Sequence, residues 1–412
     1  MPDEKKKNIL MLIDQFYPVV GGAEQQALRL SLKLIRKGHR VIVLTRRSRE
    51  DLRDTENLDG LTIHRLSATG VSGASKLKST LPAARWLIRH RHDYDLVHCH
   101  GVNPLEWSAM LAGLITKKPY VLKIPLSNFL NYAGAKDGFI MPASGKVSFF
   151  SRITRLLFIL PILKFVRKNL IRRAGRVLAI SPEIKDTLNK NGLKNISDLP
   201  NGIDTDFFAP ATPDEKAALR NRLGLSTETV VFVYSGRLAV EKNLTTLLTA
   251  WNHYRRRSGY VESKLILLGT GRGQYYSTEK ELRQMASDYI LNDVIFAGAV
   301  DNVIDYLRAA DVFILPSLWE GMSNALLEAM ACGLPAIASD IPGNRALVEH
   351  EKSGLLFDPG SPKILADCLE CLAGEPLFRA ALGKRAREIT EEKFSLQKIT
   401  ERLLDEYQKL LA

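Results

Sequence analysis

The sequence predicts an α/β protein of two domains, each a doubly wound parallel sheet covered by helices. Three observations carry this. Near the N-terminus the apolar run Asn8–Asp14, a helical segment from Gly22 to Gly38 and a second apolar run, Arg40–Thr45, read as strand, helix, strand. Far downstream Asp311–Ser317 and Ala336–Ser339 bracket a run of helix formers, Ala325-Leu326-Leu327-Glu328-Ala329-Met330-Ala331, in the same arrangement. The length, 412 residues, is enough for two full cores.

The first strand ends in a loop with Gly21-Gly22, which lets backbone approach an anion closely at the start of the following helix. Many tight turns carry the same pair. Asp95–Gly101 is a further strand, holding His98 and His100 where ligands meet such sheets. The two histidines are expected on opposite faces, one packed and one turned to the ligand end; two structural histidines are the alternative. Arg176–Pro182 is read as the last strand of the first domain. From Gly138 to Pro182 there is no acidic residue, and the basic stretch 146–176 interleaves Lys and Arg with Phe, Leu and Ile. It reads either as a segment lying on an anionic membrane surface or as a core helix with a solvated basic face. Pro161 argues against one unbroken helix.

The first domain is assigned to 1–200 and the second to 205–392, with Asn201-Gly202 supplying turn chemistry between them. The second opens with the strand Val230–Arg237, then Lys242 and a helix from about Leu244. Arg237 and Lys242, just past a strand end, are the cations expected to hold a diphosphate. Lys264–Gly269 leads to Gly269-x-Gly271, whose spacing is not that of a dinucleotide fingerprint. Val294–Gly298 is the next strand. In the block Glu320-Gly321-Met322-Ser323-Asn324-Ala325-Leu326-Leu327-Glu328, Ser323 and Asn324 are candidate N-caps. The helix they open points its free N–H groups at the sheet edge, where an anion can sit. Lys393-Phe394 begins a terminal helix assigned to 393–412.

Hydrophobic residues make up 45% and charged residues 25%, ordinary for a soluble globular protein. No apolar run is long enough to span a bilayer, and the N-terminus lacks a signal-peptide pattern. A cytoplasmic protein, peripheral on the inner membrane face, is the expectation. Cys368-x-x-Cys371 has no partner pair, so reduced, packed thiols are expected rather than a zinc or redox site. Asp93-x-Asp95 and Asp204-x-Asp206 are poor candidates for a metal site, and none is expected. The net charge of +13 points to an anionic partner.

Taken in order, Gly21-Gly22, His100-Gly101, Ile180-Ser181, Pro200–Asp204, Ser235-Gly236-Arg237, Lys242-Asn243, Gly269-x-Gly271, Phe296-x-Gly298, Pro316-Ser317 and the Glu320–Glu328 block resemble the retaining glycosyltransferases of family 4. Their signature is Glu-x7-Glu. The resemblance implies the GT-B fold, two Rossmann-like domains facing a cleft, with the terminal helix packed back on the first. It implies a nucleotide-sugar donor, no cofactor and no metal. By position, Arg237 and Lys242 would bind the donor diphosphate, and Glu320 the sugar hydroxyls with backbone at Met322, Ser323, Asn324 and Ala325. Glu328 would take the ribose, Gly298 the base, Gly21 and Gly22 the phosphate and acceptor, and His100 would line the reaction centre. One departure is Ala346, where many relatives have Glu.

The leading expectation is transfer to a glycan or lipid-linked acceptor in surface polysaccharide, lipopolysaccharide or glycolipid synthesis. A nucleotide-sugar 2-epimerase and a transferase acting on a soluble sugar phosphate are the enzymatic alternatives. A nucleic-acid binder is disfavoured, since no recognition module or stacking platform is present.

Overall fold

The computed structural model describes residues 6–19, 21–67, 77–125, 160–271 and 277–412. The chain divides into two compact units, one of residues 1–202 with 396–412, the other of 203–395.

In the first unit, strands β1 (Asn8–Leu12), β2 (Arg40–Arg46), β3 (Thr55–Leu58), β4 (Leu61–Leu66), β5 (Leu96–His100), β6 (Tyr120–Ile124), β7 (Arg176–Ala179) and β8 (Ile196–Asp198) form one sheet. Its order is β3-β4-β2-β1-β5-β6-β7-β8, parallel except for β3 against β4. Arg176–Ala179 is therefore not the last strand. Ile196–Asp198 follows it, too short and too polar to register as a hydrophobic run. Helices α1 (Gly22–Arg36), α2 (Thr80–Arg89), α3 (Trp107–Thr116), α4 (Leu160–Arg173) and α5 (Pro182–Lys190) cover the sheet together with the C-terminal helix, Leu396–Leu411. That last helix starts at Leu396 rather than Lys393. Thr390–Phe394 forms a π turn that stays with the second unit, where the Ile203 N–H donates to the Phe394 carbonyl.

The C-terminal helix buries Ile399, Leu403, Leu404 and Tyr407 against Met11, Val43, Leu96, Val121 and Leu178. Its apolar stripe, at spacings of three and four, makes it one wall of the first core. Sheet strands β1 and β5 are adjacent but their connections run to opposite sides, so the ligand edge lies past Leu12 and His100.

The second unit is a six-stranded, wholly parallel sheet in the order β11-β10-β9-β12-β13-β14. The strands are β9 (Val230–Ser235), β10 (Ser263–Leu268), β11 (Val294–Gly298), β12 (Val312–Leu315), β13 (Ala336–Ser339) and β14 (Gly354–Phe357). Helices α6 (Pro213–Arg222), α7 (Leu244–Arg255), α8 (Glu279–Asp288), α9 (Val303–Ala309), α10 (Asn324–Ala331), α11 (Pro342–Arg345), α12 (Pro362–Gly374) and α13 (Pro376–Ile389) complete it. The strand order reverses between β9 and β12, which places this unit's ligand crevice past Ser235 and Leu315.

Asp311 locks that junction. It accepts from Arg220 at 2.5 Å, Lys216 at 2.7 Å and the Val231 N–H at 2.7 Å, which holds its carboxyl below the ordinary range despite burial. No helix among the described residues is long and apolar enough to cross a membrane. Helix α4 has Pro161 in its first turn, where a missing N–H is harmless; the acceptor pocket is expected in the loops at about 65–82 and 125–148, of which 68–76 and 126–148 lie outside the described residues, as does the rest of the basic stretch up to 159. All four cysteines are free thiols, and burial pushes Cys332 and Cys368 up to about 12.

Candidate active site

At the crevice of the second unit, the chain leaves β9 through Gly236 and Arg237. It then makes a 3-10 turn, Val240–Lys242, and enters α7. Asn243 takes the left-handed conformation that ends this turn. Its side chain donates to the Pro359 carbonyl at 3.0 Å and accepts from the Thr246 hydroxyl at 2.8 Å. The turn is thus anchored on both sides, and Lys242 is aimed accordingly: its Nζ donates to Glu320 Oε1 at 2.5 Å.

Glu320 is positioned from the neighbouring strands. Asn344, fully buried, donates to the Ser339 carbonyl at 2.9 Å. The Ser339 hydroxyl donates to the Ser317 carbonyl at 2.5 Å, and the Ser317 hydroxyl donates to Glu320 Oε1 at 2.7 Å. Gly343 packs against the Glu320 backbone so closely that a Cβ there would overlap the Glu320 carbonyl oxygen. Ser317, Ser339, Gly343 and Asn344 are a supporting layer, and of these the sequence reading marks Ser317 alone, as part of the resemblance and without a role. Small polar residues at the ends of two consecutive strands are the available signal.

Arg237 stands apart from that pair. Its guanidinium bonds Glu241 at 2.7 Å and is 57% exposed, so it is presented to solvent where Lys242 is enclosed. The Tyr234 hydroxyl donates to the Arg237 carbonyl at 2.8 Å, fixing the bend. Burial first, then the carboxylates of Glu320 and Glu241, keep this phenol protonated far above its ordinary range.

Helix α10 starts as its local chemistry requires. Ser323 has extended backbone and its hydroxyl accepts from the Leu326 N–H at 3.3 Å, while Asn324 is the first helical residue. Met322 and Glu328 are buried; Asn324 and Ala325 are partly exposed. Glu328 is the fifth residue of α10, just past its first turn, and Glu320 stands four residues before the helix begins. Gly298, at the end of β11, takes a positive φ of 73°, and its carbonyl accepts from the Gly269 N–H at 2.7 Å. Gly269 itself has φ +123°, and any Cβ would run into the Gly236 carbonyl, so the turns after β9 and β10 close on each other only through glycine.

In the first unit, Gly21 is the N-cap of α1 and Gly22 its first residue. The Glu24 carboxylate folds over Gly21 where a side chain would stand. Gln26 fixes the loop after β8, bonding the Gly202 carbonyl at 2.9 Å and the Gly202 N–H at 3.0 Å. Buried Arg46 grips Asp14 with Nε and Nη2 at 2.5 and 3.0 Å, just past β1 and β2.

His98 and His100 do not point to opposite faces. Residues two apart in a strand share a face, and the two rings stack at 4.3 Å between centroids and 9° between planes. His98 Nδ1 shares a 2.5 Å hydrogen bond with the hydroxyl of Tyr407 on the C-terminal helix. His100 is the outer ring, at the end of β5, 6% exposed. Burial, then the charge of Lys123, pushes it down to about 3; burial, then His100 and Lys123, pushes His98 well below its ordinary value. Both are neutral imidazoles at neutral pH. The two Asp-x-Asp phrases are structural: Asp95 accepts from the Asn8 N–H at 2.7 Å, and Asp204 accepts from the N–H groups of Asp206 and Phe207. Among the described residues no three His, Cys, Asp or Glu side chains cluster as metal ligands.

Residues 20–207 match the profile of the family described as Glycosyltransferase Family 4, and residues 229–375 that of Glycosyl transferases group 1. Similar curated proteins include a GDP-mannose-dependent monoacylated alpha-(1-6)-phosphatidylinositol monomannoside mannosyltransferase of Corynebacterium glutamicum. It is 33% identical over 50% of this chain and 54% of that protein. The UDP-Gal:alpha-D-GlcNAc-diphosphoundecaprenol alpha-1,3-galactosyltransferase of Escherichia coli is 31% identical over 52% and 54%. The matched region thus spans about half the length of these two relatives. A D-inositol 3-phosphate glycosyltransferase of Xylanimonas cellulosilytica is 27% identical over 99% and 98%. In fold, the chain is similar to the sucrose-phosphate synthase of Thermosynechococcus elongatus, with a TM-score of 0.78, 22% identity and coverage of 98% and 99%. It is also similar to Anabaena HepE in complex with UDP-glucose, with 0.75, 21%, 97% and 99%. Both units have the sheets expected of a GT-B glycosyltransferase.

Proposed function

This chain belongs to the family 4 glycosyltransferases, and from that premise we propose that it moves a sugar, with retention, from a nucleotide-sugar donor to an acceptor hydroxyl. The observation that carries the reading is the Lys242–Glu320 pair, held at the strand-order reversal of the second unit beside Arg237 and the start of α10. Sugar transfer is also the activity of the similar mannosyltransferase and galactosyltransferase. The acceptor is a glycan or lipid-linked molecule in surface polysaccharide or glycolipid synthesis.

The chemistry follows from charge. Breaking the anomeric C–O bond leaves positive charge on the sugar and negative charge on the departing phosphate. Lys242 and Arg237 oppose the negative part, with the α10 N-terminus adding its dipole. Glu320, fixed by Ser317 and Lys242, accepts hydrogen bonds from the sugar hydroxyls. The leaving phosphate takes the proton of the incoming hydroxyl on the same face, so no protein nucleophile is required. His100, neutral, can accept or donate one hydrogen bond without adding charge.

The donor site is tested by thermal shift against UDP-, GDP- and ADP-sugars. A ligand that binds only the native state raises the melting temperature by mass action. One nucleotide is expected to give a selective rise, and Glu328→Ala to remove most of it through loss of the ribose contact. An equal rise in Glu328→Ala counts against the ribose role, and no rise with any donor counts against the reading as a whole.

Peripheral membrane association is part of the proposal. Lys164, Lys168 and Arg172 recur every four residues on α4, alongside Ile162 and Phe165, which are 60% and 69% exposed. Lys164, Phe165, Lys168 and Arg172 line a groove of about 300 Å³ with Asn191 and Leu193. This is the pairing of cations and apolar groups that anionic interfaces favour. Sedimentation with phosphatidylglycerol vesicles is expected to capture the protein at low salt, and Lys164→Glu with Lys168→Glu to weaken capture at least about thirtyfold, since two basic residues at about 1 kcal/mol each are lost before charge reversal is counted. Equal capture by phosphatidylcholine vesicles would remove the electrostatic argument.

A further inference from the structure

Lys123 has no place in the chemistry above, and its surroundings are unusual. It lies in β6, 4% exposed, and its Nζ has no hydrogen-bond partner among the described residues. The register of β5 and β6 sets it directly beside His100, on the same face of the sheet. The buried Nε2 of His100 has no partner either. An enclosed ammonium with nothing to bond is destabilising unless a ligand supplies the missing contacts. Both groups stand at the C-terminal ends of parallel strands, the edge at which such sheets take ligands.

We propose that Lys123 and His100 together form a binding site for a phosphate group carried by the acceptor, so that the enzyme selects phosphorylated acceptors over neutral glycans. This rests on the glycosyl-transfer reading and names its acceptor class. A phosphate offers a full charge to Lys123 and a second oxygen to the His100 N–H, satisfying both orphaned atoms at once. A neutral sugar hydroxyl would leave the ammonium without a counter-charge. Burial brings Lys123 down to about 7, so an arriving phosphate draws a proton onto it. Burial first, and then Lys123 beside it, keep His100 neutral, so the charge of the pair rests on the lysine.

The test uses the full chain with inorganic pyrophosphate, at ionic strength matched with sodium chloride. Because Arg237 and Lys242 also bind diphosphate on the proposed reading, it is run in an Arg237→Ala, Lys242→Ala background. Pyrophosphate at about ten times its dissociation constant is expected to raise the melting temperature by about 3 °C. Adding Lys123→Met is expected to abolish that rise, with Lys123→Gln as a second variant of similar length. Lys123→Met alone is expected to melt higher than the wild type without ligand and to keep the wild-type shift with the nucleotide sugar. An equal pyrophosphate shift with and without Lys123, or no shift in the background variant, overturns the proposal while leaving the donor reading intact. Loss of the nucleotide-sugar shift in Lys123→Met also overturns it, by assigning the lysine to the donor. Failure of the wild type to respond to any nucleotide sugar is the separate result that removes the transfer reading.

Discussion

Lys242→Ala is expected to lower turnover by more than about tenfold, equivalent to at least ~1.4 kcal/mol of transition-state stabilisation, and to do so more severely than Arg237→Ala. Two losses coincide at Lys242. On the proposed reading the leaving phosphate loses a cation in a position with little solvent, where a charge is worth more than at the surface. Glu320 also loses the ammonium that fixes its carboxylate at 2.5 Å and, among the described residues, retains the Ser317 hydroxyl. It is then free to turn away from the sugar. Arg237 is more exposed and already paired with Glu241, so its removal takes away a charge that water partly screens. Steady-state kinetics with the donor identified by thermal shift decide the matter. Wild-type turnover in Lys242→Ala removes it from the phosphate site, and a larger loss in Arg237→Ala reverses the order argued here.

The second large effect is on stability. Between pH 6.5 and about 4 the protein is expected to lose about 1.4 kcal/mol per pH unit through His100, one proton's worth, with His98 adding to the loss in the same direction. Both histidines have native values below the unfolded value of 6.5, His100 at about 3. In this window the unfolded chain binds a proton at each while the native protein does not. The contribution is therefore complete above about 6.5 and is lost as pH falls. Lys123 is depressed too, but its window lies between about 10.5 and about 7, and it adds nothing to the slope below. Urea denaturation at pH 6.5, 5.5 and 4.5 measures this slope. Replacing both histidines with asparagine is expected to flatten it, and an unchanged slope would show that the stacked pair titrates normally.

The position of this pair bears on catalysis. Tyr407, on the last helix, holds His98, and His98 stacks under His100. The helix that returns to the first unit thus supports the ring expected at the reaction centre. Chain order conceals such a link between residues 309 positions apart.

Much of the fold was legible because it rests on local chemistry. Asn8–Leu12, Arg40–Arg46, Val230–Ser235 and Ala336–Ser339 are largely apolar runs, as strands buried on both faces must be, and Val294–Gly298 is as apolar although it is a half-buried edge strand. Leu244 opens its helix as the turn residues before it predict, and Ser323 caps α10. The strands absent from the sequence reading have weaker signals. Thr55–Leu58 and Ile196–Asp198 lie at sheet edges and are mostly polar, Leu61–Leu66 alternates with Thr, His and Arg, Tyr120–Ile124 carries Lys123, and Gly354–Phe357 is apolar but only four residues long. The expectation that His98 and His100 take opposite faces fails because residues two apart in a strand share one face.

By itself the sequence determined which segments could be strands or helices, where glycine had to stand, and which side chains are candidates for a phosphate and sugar site. Each of these depends on a few neighbouring residues. Only the tertiary structure decided that Lys242 meets Glu320, 78 residues away, that Asn344, Ser339 and Ser317 support that glutamate, and that Lys123 lies beside His100. Those pairings follow from strand order and register, which are set by packing the whole sheet, and no local spacing in the chain encodes them.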